Sequence, residues 1–109
     1  MDYQHKNLAS GKWFKLSISE QLANVGADIG RAIKWRKKGK ASYSQQAFFR
    51  ALELLSLTID DQKNKGAKLK ELCRLYEILG DYFVGNNQHG SSDEIWEKYF
   101  YNFNLLARK

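Results

Sequence analysis

The chain has 109 residues, which is enough for one domain with a buried core. Hydrophobic residues make up 43% of the chain and aromatic residues 14%, so a wholly disordered protein is excluded. The formal net charge of +6 favours a partner that carries negative charge. No apolar run approaches the ~18 residues of a membrane span and no signal peptide is recognisable, so we expect a cytoplasmic protein without a membrane partner.

A first helix is predicted to begin at Ser17, because Ser17 and Glu20 have the spacing of a capping box. Helical spacing then defines a core stripe of Ile18, Leu22, Val25, Ile29 and Ile33. Beside it lies a stripe of small residues that would let another helix approach closely: Ala23, Gly26, Ala27 and Gly30. The helix is expected to end near Lys38, with Gly39 in the left-handed conformation that terminates many helices.

A second helix is predicted from about Ser42, where Ser42 and Gln45 match another capping box. Its apolar positions are Ala47, Phe48, Ala51, Leu52, Leu54, Leu55, Leu57 and Ile59. A third helix is predicted from Ala67 to Val84, with one stripe of Leu69, Leu72, Cys73, Tyr76, Leu79 and Phe83 and a second of Leu75, Ile78 and Tyr82. A helix that is apolar over so much of its surface is central or has a second partner. Cys73 is interpreted as a buried, inert side chain on the first stripe.

A loop at 85–90 separates this segment from a fourth helix, for which Ser91 and Glu94 form a third predicted capping box. The stripe of the fourth helix is Ile95, Trp96, Tyr99, Phe100, Phe103 and Leu106. Tyr101 falls on the opposite side of this helix. Helix three and helix four thus have more apolar surface than one small core needs, which favours a homo-oligomer.

Four amphipathic segments with short connections, in a chain without proline, predict an all-α, antiparallel up-down four-helix bundle. Residues 16–109 are expected to form this single domain. Residues 1–15 are interpreted as an irregular N-terminal arm with two anchoring side chains, Trp13 and Phe14.

The positive charge is concentrated in one part of the chain. Residues 31–50 contain seven basic residues and no acidic residue, whereas the charges of residues 1–30 and 51–109 nearly cancel. The seven are Arg31, Lys34, Arg36, Lys37, Lys38, Lys40 and Arg50. Lysine and arginine side chains neutralise phosphates, and Trp35 could stack on a base. The sequence therefore predicts a nucleic-acid-binding corner, with a solvated helix end and a site for an acidic protein as the two alternatives.

Catalytic and metal-binding patterns are absent from the sequence. The two histidines, His5 and His89, have no metal-ligand spacing, and a single cysteine cannot build a zinc site. No glycine-rich phosphate loop occurs. The acidic pairs at Asp60 and Glu94 are explained by turn formation and by the helix dipole. We therefore expect no enzymatic activity, no cofactor and no metal.

Residues 20–33 read EQLANVGADIGRAI, and residues 47–55 read AFFRALELL. A short basic four-helix chain with these segments resembles the small bacterial bundle proteins that include the 23S rRNA intervening-sequence proteins and the accessory variability proteins of diversity-generating retroelements. The resemblance implies a homopentameric bacterial protein that binds nucleic acid, RNA more than DNA, and has a reverse transcriptase as a partner. The alternative is an oligomeric adaptor that docks an acidic protein.

Overall fold

The computed structural model describes residues 11–108, which form four helices and no strand. The elements are a short 3-10 turn at Lys12–Lys15, α1 at Ile18–Lys37, α2 at Ala41–Asp60, α3 at Ala67–Phe83 and α4 at Asp93–Ala107. α1 packs against both α2 and α4, and α3 packs against α2. The predicted four-helix bundle is confirmed. Within this described part, no helix is both long enough and apolar enough to cross a membrane.

The start and the end of α1 agree with the sequence prediction. The Ser17 hydroxyl accepts a hydrogen bond from the Glu20 backbone N–H at 3.1 Å, and the Glu20 carboxylate accepts one from the Ser17 N–H at 3.0 Å. At the other end Gly39 has φ +75°. The N–H of Lys40 donates to the Trp35 carbonyl, and that of Gly39 donates to the Arg36 carbonyl. This Schellman arrangement makes a tight turn between α1 and α2.

The capping boxes predicted for the second and fourth helices are wrong. α2 begins at Ala41 without a side-chain cap, so Ser42 is already its second residue and does not cap it. α4 is capped by Ser92, whose hydroxyl accepts from the Ile95 N–H. The backbone N–H and carbonyl of Ser91 are both bonded to the Asn87 side chain, so Ser91 belongs to the preceding loop.

The core contains the predicted stripe of α1 together with Phe48 of α2 and Trp96 and Phe100 of α4. Its most deeply buried members are Trp13, Leu22, Val25, Ile29, Phe48, Leu55, Leu72 and Leu79. In α3, however, Cys73 and Tyr76 are exposed, so the interpretation of Cys73 as a buried side chain is wrong. Cys73 and Tyr76 lie with Ser56, Ile59 and Asp60 of α2 around an open cavity, so this edge of the contact between α2 and α3 is accessible to solvent. Ile95 and Leu106 of the predicted α4 stripe are also about half exposed.

Only one of the two predicted anchors of the N-terminal arm is buried. Trp13 is 1% exposed, and its indole N–H donates to the Thr58 hydroxyl at 3.0 Å. Phe14 is 38% exposed, so its prediction as an anchor is wrong. Neighbouring side chains of a 3-10 turn point about 120° apart, so the two rings cannot both face the core. Residues 1–10 of the predicted arm, including His5, lie outside the described residues.

A buried polar network joins the Trp13 turn to the loop between α2 and α3. The Gln21 amide N–H group donates to the Trp13 carbonyl at 3.1 Å and to the Asp61 carboxylate at 2.8 Å. The Gln21 amide oxygen accepts from the Asn64 side chain, which also donates to the Thr58 carbonyl at 2.9 Å. Buried polar groups that are satisfied in this way hold neighbouring segments in one arrangement.

The Asp61 carboxylate gives this network a pH dependence. Burial alone raises the pKa of Asp61, but hydrogen bonds from Lys63 and Gln21 lower it by more, so the pKa lies below its ordinary value of 3.8. Stability from this group is therefore complete above about pH 4 and is lost as the pH falls through the folded-state pKa. We expect Asp61→Asn to lower the free energy of unfolding by about 1–3 kcal/mol at pH 7. In urea unfolding curves, that difference should shrink below pH 4; an equal difference at pH 7 and pH 2.5 would contradict the assignment.

Candidate nucleic-acid interface

The seven predicted cations divide into two groups in the structure. Three of them contact carboxylates, although no acidic residue occurs between residues 31 and 50: Arg31 with Asp28, Arg36 with Asp93, and Lys37 with Glu97. Two of these carboxylates come from α4, far away in the sequence. The corner is therefore less positive than its sequence segment suggests.

Arg36 joins three helices rather than facing a ligand. Its guanidinium donates to the Asp93 carboxylate of α4 at 2.7 Å, and lies 4.8 Å and 4.9 Å from the ring centres of Tyr82 and Phe83 on α3. The Tyr82 hydroxyl also donates to Asp93. Burial, followed by this bond to Asp93, raises the pKa of Tyr82. Arg36 is thus a structural residue at the meeting point of α1, α3 and α4.

The ion pair of Lys37 is a weaker constraint than that of Arg36. Lys37 and Glu97 are 3.7 Å apart, and both side chains are more than half exposed. Exposed pairs of this kind contribute about 0–1 kcal/mol, so Lys37 could exchange the Glu97 carboxylate for a phosphate. Arg31 is also about half exposed, but its partner Asp28 is buried.

Three of the four remaining cations lie at the turn between α1 and α2, beside an aromatic pair. We call this surface the turn patch and define it as Lys34, Trp35, Lys38, Lys40 and Tyr43. No described carboxylate lies within 4.0 Å of the three lysines. The Trp35 and Tyr43 rings have centres 5.0 Å apart, and Lys38 Nζ lies 5.5 Å from the centre of the Trp35 ring. The turn patch thus combines unpaired positive charge with aromatic surface.

Tyr43 is the functional candidate that the sequence reasoning missed. It is 54% exposed and lies in the first turn of α2. Its helical position relative to Ala47 and Phe48 would have assigned it to the edge of the core. Only the tight turn at Gly39 brings it against Trp35 of the preceding helix.

Arg50 extends the positive surface along α2. It follows Tyr43 by seven residues, which places it on the same side of the helix about 10 Å further along. Its side chain is half-buried, and Nε has no hydrogen-bond partner among the described atoms. Arg50 therefore lies on the same side of α2 as Tyr43 of the turn patch, whereas Arg36 is held against α3 and α4.

Apart from the turn patch, a cavity lies between α3 and α4. It is an open cavity of about 390 Å³ lined by Glu71, Arg74, Ile78, His89, Trp96 and Tyr99, among others. Burial, with Glu71 adding to it, raises the pKa of Tyr99 to about 12, so its hydroxyl stays protonated at neutral pH. No hydrogen bond or ion pair joins the His89 and Glu71 side chains in the described part of the chain. These residues do not form an acid–base pair in this structure.

The loop that carries His89 is organised by Asp81. The two carboxylate oxygens of Asp81 accept the backbone N–H groups of Gln88 and His89 at 2.9 Å and 3.1 Å, and these bonds lower the pKa of Asp81. The His89 backbone is thus engaged in loop structure. Within residues 11–108, no group of three His, Cys, Asp or Glu side chains could hold a metal ion.

Three comparisons, with protein-family models, with curated proteins and with solved structures, find no match for this chain. The function is therefore inferred from the chemistry of the turn patch and its surroundings.

Proposed function

We propose that the protein is a non-enzymatic accessory protein that binds nucleic acid through the α1–α2 corner. The observation that supports this most is the turn patch, where the three lysines have no carboxylate partner among residues 11–108 and Lys38 lies 5.5 Å from the Trp35 ring of the Trp35–Tyr43 pair. One or two cations would be enough to offset the partial negative charge at the end of α1, which is about half an elementary charge. The preference for RNA over DNA comes from the resemblance to the rRNA intervening-sequence proteins.

Binding would depend on phosphate contacts. Lys34, Lys38, Lys40 and Arg50 are available for such contacts without breaking an ion pair of the structure. Each neutralised phosphate releases counterions, so the binding constant falls with salt concentration. For about four contacts, the slope of log K against log[salt] should be about −3.

In the triple variant Lys34→Gln, Lys38→Gln, Lys40→Gln, the slope of log K against log[salt] is expected to become less negative by about 2. The reason is that three of about four phosphate contacts are removed. The measurement is fluorescence anisotropy of a labelled RNA hairpin with an unpaired loop, titrated with protein over a range of salt concentrations. A DNA hairpin of the same sequence tests the preference for RNA.

The matched control removes the same charge from another surface. Lys65, Lys68 and Lys70 are exposed and form no described ion pair, so their replacement by Gln should lower the affinity only slightly. If both triple variants weaken binding equally, net charge explains the result and the assignment to the turn patch fails. If the native protein does not bind either hairpin at low salt, the proposed function itself fails.

We also propose that the protein self-associates. In α4, Ile95, Tyr101, Leu105 and Leu106 are 43–58% exposed. Beside Tyr101, α1 and α4 enclose a groove of about 250 Å³ that includes the small-residue stripe. Homo-oligomerisation would cover these side chains. The homopentamer and the reverse transcriptase partner implied by the resemblance stay predictions, as does the alternative of an adaptor for an acidic protein.

Light scattering during size exclusion should give a molar mass that is a multiple of the 12.7 kDa chain. The variant Leu105→Glu, Leu106→Glu should shift this mass toward the monomer, because buried charges would destabilise an apolar interface. A monomer at all concentrations would contradict self-association.

A further inference from the structure

We infer that the turn patch recognises single-stranded segments of nucleic acid, with an unpaired base stacked on the Tyr43–Trp35 pair. This inference rests on the proposed function and names the substrate class of the same site. It assigns a role to Tyr43 and separates two forms of nucleic acid that charge alone does not distinguish.

The first step is the accessibility of the aromatic surface. Trp13 and Trp96 are 1% and 5% exposed, whereas Trp35 is half-buried and is therefore the most accessible of the three tryptophans. Tyr43, packed against it with ring centres 5.0 Å apart and planes inclined by 38°, is 54% exposed. A large aromatic ring that is exposed to solvent to this extent can stack on the flat face of a base.

The second step is the position of the charges relative to the rings. Lys34 and Lys38 are four residues apart and therefore lie one above the other on α1, next to Trp35. Lys38 Nζ is 5.5 Å from the Trp35 ring centre, and Lys40 follows in the turn that leads to Tyr43. An ammonium group beside the aromatic pair, with two further lysines close to it in the chain, matches a strand whose phosphates flank a stacked base.

The third step is the state of the bases in the partner. In a duplex the base faces are covered by neighbouring base pairs, so an exposed ring on a protein surface has nothing to stack on. In loops and single strands the bases are unstacked and accessible. Stacking on an aromatic side chain tolerates any base, so the turn patch should show little sequence preference.

The fourth step is the rigidity of the turn patch. The Lys40 and Gly39 N–H groups are bonded to the Trp35 and Arg36 carbonyls, which fixes the backbone between the two rings. Arg36 is held by Asp93 on the opposite side, which ties the end of α1 to α4. The aromatic pair is therefore already formed before a ligand arrives, and little conformational entropy would be lost on binding.

The experiment compares a labelled unpaired RNA 12-mer with a blunt RNA duplex of the same length, by anisotropy at one low salt concentration. We expect the single strand to bind about tenfold more tightly than the duplex. Tyr43→Ala should weaken single-strand binding about five- to tenfold and leave duplex binding unchanged, whereas Tyr43→Phe should bind like the native protein because it keeps the ring. Tyr76→Ala, which removes a 39% exposed tyrosine from α3, outside both the turn patch and the proposed self-association surface, is the matched control.

A second readout reports on the stacking itself. Addition of the single strand should quench tryptophan fluorescence, and Trp35→Phe should abolish this quenching because Trp13 and Trp96 are buried. Far-UV circular dichroism confirms that each variant is folded. Equal binding of both RNA forms, or equal effects of Tyr43→Ala on both, would overturn the inference while leaving the proposed function intact. Absence of binding to either RNA would overturn both.

Discussion

Trp13→Ala should lower the free energy of unfolding by about 3–5 kcal/mol, as expected for a large aromatic side chain removed from a core. Trp13 is 1% exposed, and its indole N–H is bonded to the Thr58 hydroxyl of α2. A domain of this size has a total stability of about 5–15 kcal/mol, so the loss is a large fraction of it. In thermal unfolding the midpoint should fall by about 12–20 °C.

The neighbouring aromatic residue provides the control. Phe14 is 38% exposed, and Phe14→Ala should change the free energy of unfolding by less than about 1 kcal/mol. Trp13→Phe keeps most of the buried area and should fall between the two. If Phe14→Ala were as destabilising as Trp13→Ala, the turn at Lys12–Lys15 would have to pack differently.

The second large effect is expected at the contact between α1 and α4. A Cβ atom placed on Gly26 would lie 2.5 Å from Cβ of Phe100 and 2.8 Å from its Cγ. These atoms are close to the α4 backbone, so a change of rotamer cannot relieve the clash and the helix itself must move. Gly26→Ala should therefore lower the free energy of unfolding by about 2 kcal/mol, in spite of the better helix propensity of alanine.

Gly30 is the matched control, one turn further along α1. An added Cβ at Gly30 meets no atom within 4 Å, so Gly30→Ala should raise the free energy of unfolding by about 1 kcal/mol through helix propensity alone. Urea unfolding of the two variants should thus give changes of opposite sign. Two changes of the same sign would mean that α4 does not approach α1 closely at Gly26.

The helices themselves were predictable because their signals are local. The Ser17 capping box and the left-handed Gly39 need only residues a few positions apart, and both are present as predicted. The predicted caps of α2 and α4 were wrong although their sequences match the capping pattern. α2 begins one residue before Ser42, directly after the turn at Gly39, and Ser91 is bonded to Asn87 in the preceding loop.

The charge of the α1–α2 corner shows the limit of reasoning from one segment. Seven cations without an acid suggest one uniform surface, but Asp93 and Glu97 of α4 pair with Arg36 and Lys37. The Arg36 and Asp93 positions are 57 residues apart, and no local pattern joins them. The cations that stay available are those of the turn patch and Arg50.

The sequence by itself determined four amphipathic helices, most of the core stripe of α1 and the positive character of residues 31–50, because these depend on periodicity and composition. Tertiary structure decided which cations pair with carboxylates, that Tyr43 lies against Trp35, and that Cys73 is exposed to solvent. Each of these features depends on which helices are neighbours in the bundle. Amphipathic periodicity does not determine which helices are neighbours. Packing determines which helices are neighbours through close contacts such as that of Gly26 with Phe100, where an added Cβ atom would lie 2.5 Å from the Phe100 Cβ.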